Sequence, residues 1–447
     1  MRRPILRTTL PGPKGAELIA RDHRFLSRSL PREYPLVAVK GEGVWLSDPD
    51  GNEFLDFTSG IAVCNTGHCH PQVTRAAKDQ LDRLLHMCSA DFYTTPMVDL
   101  AEKLAAVAPG PSPKRIYFGN SGAEAVESGL KLARYQTGRR EFIAFLGAFH
   151  GRTMGALSLT ASKATQKRNF GPFVPGVRHV PYAHCYRCAY NLEYPACDLQ
   201  CIQYIEDVLF KQVLVPEEIA AIVVEPIQGE GGYIVPPPDY HKRLKNLAEQ
   251  YGILYMVDEI QTGMGRTGKM YAIEHFGIEP DLLTTAKGIA SGLPLSALVA
   301  REEIMNWTPG AHGSTYGGNP VASAAALASI EVIEQGLVDN AARMGPVLRQ
   351  GLETIRQTHE AIGDIRGLGL MQAVELVRDR ESKEPNKALR NKILTRCFEN
   401  GLLLLSCGES TVRFCPPLLV DADQISVALE IFEQVMLEIG NEKFDEP

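Results

Sequence analysis

The chain has 447 residues, 45% of them hydrophobic, with a formal net charge of −7. That is enough apolar material for two or three domains, or for one large α/β domain with a smaller companion. The acidic balance and the lack of any block of like charge exclude a nucleic-acid stripe and a polybasic membrane face, so a small molecule is the expected partner. Ten cysteines are too sparse for a disulfide scaffold, and those in stretches such as "VRFCPPLLV" read as small packed hydrophobes. The N-terminal "MRRPILRTTLPGPKG" is basic but has no apolar h-region, and no later apolar run is long enough to span a bilayer. A cytoplasmic protein is expected.

Residues 1–70 are punctuated by Pro and Gly. Within them "GEGVWLSDPDGNEFLDFTSG" reads as strand, Asp-Pro-Asp-Gly turn, strand, a hairpin that should pack with the smaller domain. From Pro71 to about residue 325, helices alternate with short apolar runs. "MVDLAEKLAAVA" is apolar at Met97, Leu100, Ala101, Leu104 and Val107, a helical spacing. The runs "RIYFG", "EFIAFL", "AAIVVEPI", "GILYMVDE" and "DLLTTA" read as strands buried on both faces. Such alternation predicts a large domain over 71–325 with a mainly parallel sheet flanked by helices, and ligands at the carboxyl ends of its strands.

Residues 326–447 start in an Ala-rich helix and continue through "IGDIRGLGLMQAVEL" and "GLLLLSCGESTVRFCPPLLV", expected strands of a smaller α/β domain. The last helix places Ile425, Ala428, Leu429, Phe432, Val435, Met436 and Ile439 on one face, with Asp421 or Asp423 as N-cap. The tail "NEKFDEP" is expected to fray. No internal repeat or low-complexity segment stands out.

The chemistry-bearing residues gather at the ends of the expected strands. "RIYFGNSGAEAVESGLKLARYQTG" is a strand, a Gly-Asn-Ser-Gly turn and a helix opening at about Ala123. Backbone N–H groups there, with Ser121, make a phosphate cradle that Gly122 lets a ligand approach; the same unit also occurs as plain structure. "ILYMVDEIQTGMGRTG" ends its strand at Asp258-Glu259. An acid there caps a helix, binds a metal or holds a proton on a heterocyclic nitrogen, and Gln261 is placed to reach the same ligand. "DLLTTAKGIASGLPLSA" sets Lys287 among small, hydroxylated and apolar residues, where lost hydration lowers an amine's pKa and leaves it nucleophilic. The alternative is a lysine that snorkels to solvent from a strand end. With Phe149 of "LGAFHGRTMG" as a stacking face, the set matches one cofactor, pyridoxal phosphate. Its phosphate needs N–H donors, its ring nitrogen an anion, its ring an aromatic face and its aldehyde an amine.

From about residue 35 to the C-terminus the chain resembles the class III aminotransferases of the fold-type I pyridoxal-phosphate group. The motifs are "GEGVWLSDPDGNEFLDFTSGIAVCNTGHCHP", "GNSGAEAVESGLKLAR", "FHGRTMGALSLT", "VVEPIQGEGG", "VDEIQTGMGRTG", "TTAKGIASGLPLSA" and "HGSTYGGNP". The 4-aminobutyrate, ornithine and acetylornithine branches are nearest in flavour. The resemblance implies that Ser121, Gly122 and Ala123 hold the phosphate, that Phe149 stacks on the ring, that Asp258 faces the ring nitrogen and that Gln261 lies near the ring hydroxyl. Lys287 falls on the Schiff-base position and moves the substrate proton. Ser314 and Thr315 match residues that reach the phosphate of a neighbouring subunit, which implies a homodimer with shared active sites, or a higher oligomer built on one.

For the substrate, the resemblance gives Arg152 the distal carboxylate and Arg413 the α-carboxylate of glutamate or 2-oxoglutarate; each arginine is alternatively a surface cation. Glu230 matches the acid that masks Arg413 when an ω-amine is bound, Glu225 is a site residue or a structural acid, and Ile61 is an apolar wall. The implied reaction takes the amino group of an ω-amino acid, 4-aminobutyrate by preference, to 2-oxoglutarate. An ornithine or acetylornithine aminotransferase and an amino-acid racemase use the same residues, since Lys287 can return the proton to either face of Cα. A regulator that binds the cofactor without turnover is disfavoured by intact Lys287, Asp258, Gln261 and both arginines. Outside the family pattern, "HCYRCAYNLEYPACDLQC" holds Cys185, Cys188, Cys197 and Cys201, a spacing compatible with zinc or with packed loop thiols. His68 and His70 of "GHCHP" precede a Pro suited to a helix start and are assigned no metal.

Overall fold

A computed structural model describes residues 1–441; from residue 442 the tail expected to fray lies outside them. Near the N-terminus, β1 (Lys40–Glu42), β2 (Trp45–Ser47) and β3 (Glu53–Asp56) form an antiparallel meander. The Asp-Pro-Asp-Gly turn between β2 and β3 is closed by Asp48, whose Oδ1 accepts from the N–H groups of Asp50 and Asn52, both at 2.9 Å. Gly51 takes the left-handed conformation this turn requires, at φ +85°.

Seven strands make the central sheet: β4 (Lys114–Gly119), β5 (Glu141–Phe145), β6 (Val177–Val180), β7 (Ile219–Val224), β8 (Leu254–Asp258), β9 (Leu282–Thr285) and β10 (Ser296–Arg301). Their order is β4-β10-β9-β8-β7-β5-β6. The five from β9 to β6 run parallel, while β10 is antiparallel to both of its neighbours. β4 therefore points the same way as β9, and the carboxyl ends of β4, β5, β7, β8 and β9 share one edge. The interior strand β7, "IAAIVV", is buried at every position, as helix cover on both faces demands. "RIYFG" departs from that expectation: β4 is an edge strand, so Arg115 is exposed and Ile116 and Tyr117 only half-buried. The strands β6 and β10 were not among the expected runs; β6, "VRHV", carries two polar residues in four, and β10 follows directly on the lysine motif.

The Ala-rich helix Pro320–Val332 passes through a wide turn at Ile333–Leu337 into the helix Val338–Thr358. By length and composition alone the helix at 320–358 would suffice to cross a membrane, although Glu331 and Glu334 interrupt its apolar run. Its apolar side chains are used inside the protein instead, with Ala326, Ile330 and Ile333 fully buried in the core of the central sheet.

The second core lies around β11 (Ile362–Leu368), β12 (Met371–Leu376), β14 (Leu405–Cys407) and β15 (Thr411–Phe414), an antiparallel sheet in the order β11-β12-β15-β14; the intervening strand β13 (Leu402–Leu403) leaves it to pair in parallel with β3. The N-terminal meander is thus completed by a C-terminal strand. The last helix, Ala422–Asn441, buries Ile425, Ala428, Phe432, Val435, Met436 and Ile439, with Leu429 half-buried beside them. Its cap is Asp421 and not Asp423: Asp421 Oδ1 accepts from Gln424 N at 2.8 Å, and Gln424 Oε1 accepts from Asp421 N at 3.1 Å.

Arg266, in the loop after β8, is fully buried between these parts. Its guanidinium donates to the Leu370 carbonyl at 3.2 Å, to the Pro416 carbonyl, and to Asn65 Oδ1 at 2.5 Å. A second buried polar knot follows β3. Asp56 accepts from Thr58 N and Oγ1, both at 2.7 Å, and from Ser59 N at 3.2 Å, while its Oδ2 meets His68 Nε2 at 2.7 Å. Burial works against a charge on His68, but the Asp56 carboxylate outweighs it and raises the imidazole from 6.5 to about 10. A histidine bound more tightly to its proton when folded stabilises fully below the unfolded value and loses that contribution as pH rises through the folded one. His68→Gln should therefore lower unfolding stability by about 2 kcal/mol below pH 6.5, with the difference from wild type vanishing above about pH 10, as read by denaturant titrations across that range.

Candidate active site

A cavity of about 440 Å³ opens at the shared edge of the strand ends and is lined by Ser121, Gly122, Ala123, Phe149, Arg152, Glu225, Asp258, Gln261 and Lys287. Nine of the residues singled out in the sequence thus meet in one place.

At one end of the cavity β4 turns into the helix Gly122–Thr137, with Ser121 as N-cap; its Oγ accepts from Glu124 N at 3.3 Å. The unpaired N–H groups of this first turn carry the positive end of the helix dipole and suit a phosphate. A Cβ on Gly122 would stand 3.0 Å from Ile260, so a side chain there would crowd the wall. β8 delivers Asp258, whose Oδ1 accepts from Ile260 N at 3.0 Å and whose Oδ2 meets His150 Nδ1 at 2.7 Å. His150 is buried, which disfavours its charge, yet the hydrogen bond and charge of Asp258 raise its affinity for the proton above the ordinary value. The imidazole braces the carboxylate from behind.

Lys287 follows β9 at φ +47°, a left-handed conformation rare for a side-chain-bearing residue. Its amine opens on the cavity but has protein around it, and burial lowers its pKa against the pull of Asp258 and Glu225. Phe149 is set by Glu225: one carboxylate oxygen accepts from Phe149 N at 2.9 Å and the other from Gly229 N at 2.7 Å. Burial pushes Glu225 up to about 7, with Asp258 adding and His150 opposing. The Arg152 guanidinium lies 5.5 Å from the centre of the Phe149 ring.

Arg413, on β15, lies behind the wall rather than on it. Its Nη1 is 3.4 Å from Gln261 Oε1 and 3.4 Å from Glu230 Oε2, while Glu230 Oε1 receives Lys163 Nζ at 2.7 Å. Burial works against the Glu230 carboxylate, and Arg413 and Lys163 more than offset it, so its pKa is lowered.

Besides Arg413 and Glu230, three sequence candidates stand outside the cavity. Ile61 is 41% exposed, and Val63 lines the wall in its neighbourhood. Ser314 Oγ accepts from Gly317 N at 3.0 Å and from Asn120 Nδ2 of the same chain at 3.3 Å, and Thr315 is exposed. His150 and Lys163 were not singled out in the sequence. His150 follows the aromatic of "FHGRT" and carried only that adjacency as a signal; Lys163 is one lysine in a polar loop and carried none. Cys185, Cys188, Cys197 and Cys201 surround one void of about 20 Å³ as free thiols. Burial lifts Cys201 to about 12. Among the described residues, no group of His, Cys, Asp and Glu is arranged to hold a metal ion. His68 is taken up by Asp56, and His70 stands at the start of the helix Pro71–Leu81.

An N–H-rich helix start, a carboxylate braced by an imidazole, an aromatic face and a desolvated amine in one cavity are the donor set of a pyridoxal-phosphate enzyme of α/β fold type I. Residues 29–436 match the Aminotransferase class-III family, and the chain belongs to that pyridoxal-phosphate-dependent family. It is 40% identical to the alanine/serine racemase of Pyrococcus horikoshii, over 95% of this chain and 91% of the racemase. It is also 40% identical to the 4-aminobutyrate aminotransferase GabT of Escherichia coli, over 94% of this chain and 97% of that enzyme. Among solved structures, a thermostable (S)-enantioselective omega-transaminase from Thermomicrobium roseum superposes with a TM-score of 0.88 at 33% identity, covering 95% of this chain and 98% of that one.

The desolvated amine gives a direct test. Enzyme loaded with pyridoxal phosphate and reduced with borohydride should carry the pyridoxyl mass on the peptide holding Lys287, and Lys287→Ala should carry none by mass spectrometry. A label on another lysine would remove Lys287 from its role.

Proposed function

We propose that this enzyme moves the amino group of an ω-amino acid, 4-aminobutyrate by preference, to 2-oxoglutarate, giving glutamate and a semialdehyde, as a cytoplasmic homodimer. The observation that carries this reading is the shared carboxylate: Glu230 lies within 3.4 Å of the buried Arg413 and within 2.7 Å of Lys163. A removable counter-ion lets one pocket accept an ω-amine, which brings no α-carboxylate, and then an oxo acid, which does.

When bound, pyridoxal phosphate supplies an electron sink for the bond broken at the carbon that bears the amine. The rest falls to this chain's residues. Backbone N–H groups of Ser121, Gly122 and Ala123 hold the phosphate, and Phe149, fixed by Glu225, covers one ring face. Asp258, braced by His150, keeps a proton on the ring nitrogen, and Gln261 reaches the ring hydroxyl. Lys287, with its lowered pKa, takes and returns the proton at the substrate carbon. Arg152 binds the distal carboxylate and Arg413 the α-carboxylate, while Ile61 narrows the entrance. Ser314 and Thr315 serve the phosphate site of a neighbouring subunit. That arrangement is supported by the exposure of Thr315 and by the bare aromatic side chains of Phe92, Tyr93 and Tyr316, an apolar face of the kind a second copy covers.

A second reading, an amino-acid racemase, is favoured by the identity to the Pyrococcus racemase, which equals that to the aminobutyrate enzyme. Single enantiomers of several amino acids, 4-aminobutyrate and ornithine, each with and without 2-oxoglutarate, separate the two. Glutamate should appear only with the oxo acid, and 4-aminobutyrate should be the best donor; loss of chirality without any oxo acid would put the racemase in its place. On the transferase reading, Arg413→Ala should raise the KM for 2-oxoglutarate by about tenfold or more and the amine KM by less than about twofold, because a charge-assisted pair to one substrate is lost.

A further inference from the structure

Glu230 is held at its backbone, while its carboxylate bridges two cations. Its carbonyl accepts from Gly408 N at 2.8 Å, in the turn between β14 and β15, and the Gly229–Gly232 turn around it is closed by a hydrogen bond of 3.1 Å. Glycines at 229, 231 and 232 put no side chains beside it. The carboxylate therefore has two cations within reach of rotation: Arg413 inward, at 3.4 Å, and Lys163 outward, at 2.7 Å. Arg413 is almost wholly enclosed, whereas the Lys163 side chain is 35% exposed.

On its outer side Lys163 lines a cleft of about 580 Å³ between the 162–165 loop and β14–β15. The cleft is cationic. Lys163, Arg187, Arg366, Lys387 and Arg390 line it against two acids, Glu409 and Glu375, and Glu375 is already claimed by Arg187 at 2.5 Å and Arg366 at 2.6 Å. Arg390, only 6% exposed, donates to Asn391 Oδ1 at 2.9 Å and has, among the described residues, no carboxylate at ion-pair distance. The field there favours a carboxylate that swings outward.

We propose that Lys163 is the outer station of the Glu230 gate, the positioning residue that keeps the carboxylate paired while Arg413 is given to a substrate's α-carboxylate. The proposal rests on the transaminase reading above. A buried carboxylate or guanidinium left without a partner is costly, so a gate with one station must strand a charge each time it opens. With two stations neither charge is stranded: Arg413 passes from Glu230 to the substrate, and Glu230 passes wholly to Lys163. Without Lys163, Glu230 stays on Arg413 and competes with every α-carboxylate.

Glutarate, an unreactive dicarboxylate, reads the gate without turnover when titrated calorimetrically into the cofactor-loaded enzyme. Lys163→Met should weaken its binding about fivefold and Lys163→Arg should restore it to within about twofold, as for a partly exposed ion pair. In a Glu230→Gln background Lys163→Met should have no further effect, the signature of action through Glu230. No loss with Glu230 present, or the same loss without it, would overturn the proposal. In turnover, the 2-oxoglutarate KM of Lys163→Met should rise by the same factor without a matching rise in the amine KM; parallel changes would also overturn it. Failure of the transaminase reading shows separately, as wild-type enzyme that binds glutarate through the same cycle yet transfers no amino group.

Discussion

The two ends of the active site are held in register by a buried guanidinium solvated by carbonyl and amide oxygens. Arg266 reaches the carbonyls of Leu370 and Pro416 and the amide of Asn65, so it ties the loop after β8 to the smaller sheet and to the N-terminal segment at once. Burying a charge is tolerable only where hydrogen bonds replace the lost water. The consequences run both ways along the chain. Pro416 lies three residues beyond Arg413, and Asn65 packs so closely on Gly288 that no side chain fits there. Gly288 adjoins Lys287. One cation thus fixes Lys287 and Arg413 against each other, although they belong to different sheets.

Three acids stand at adjoining strand ends, and their surroundings give them different work. Glu225 has both oxygens committed to backbone N–H groups. Glu259 is committed to Thr262 and to Ile273 N. Burial raises both to about 7, and their hydrogen bonds make them supports for the loops they bind. Asp258 alone is braced by an imidazole at 2.7 Å while lining the cavity. Similar chemistry at three positions is thereby divided between two structural clamps and one carboxylate that faces the cavity with an imidazole behind it.

What could be read from the sequence followed from local signals. Strand-end motifs at Ser121, Phe149, Asp258 and Lys287 carry their positions with them, because a parallel sheet brings successive carboxyl ends to one edge. The resemblance to class III aminotransferases supplied the substrate arginines and Glu230, which no periodicity marks. Other features are properties of tertiary placement. β10 is a short antiparallel return that shows no helix on either side in sequence, and β13 leaves its own sheet for β3 across almost the whole chain. The pairing of His150 with Asp258 spans 108 residues, and that of Lys163 with Glu230 spans 67. Each looks ordinary alone. The apolar helix at 320–358 shows the converse: composition fit for a lipid interior was spent on a protein core.

The same lysine can serve amino transfer or inversion at Cα, so Lys287 does not distinguish them. Glu230 bears on the choice. A racemase meets an α-carboxylate in every substrate, and an acid competing for Arg413 would only weaken binding. A transferase that alternates between an ω-amine and an oxo acid must satisfy Arg413 in one half-reaction and release it in the other. A carboxylate within reach of two cations, one enclosed and one at the rim, meets that alternation without leaving a buried charge unpaired, and so weighs toward transfer on a scaffold that its relatives use for both.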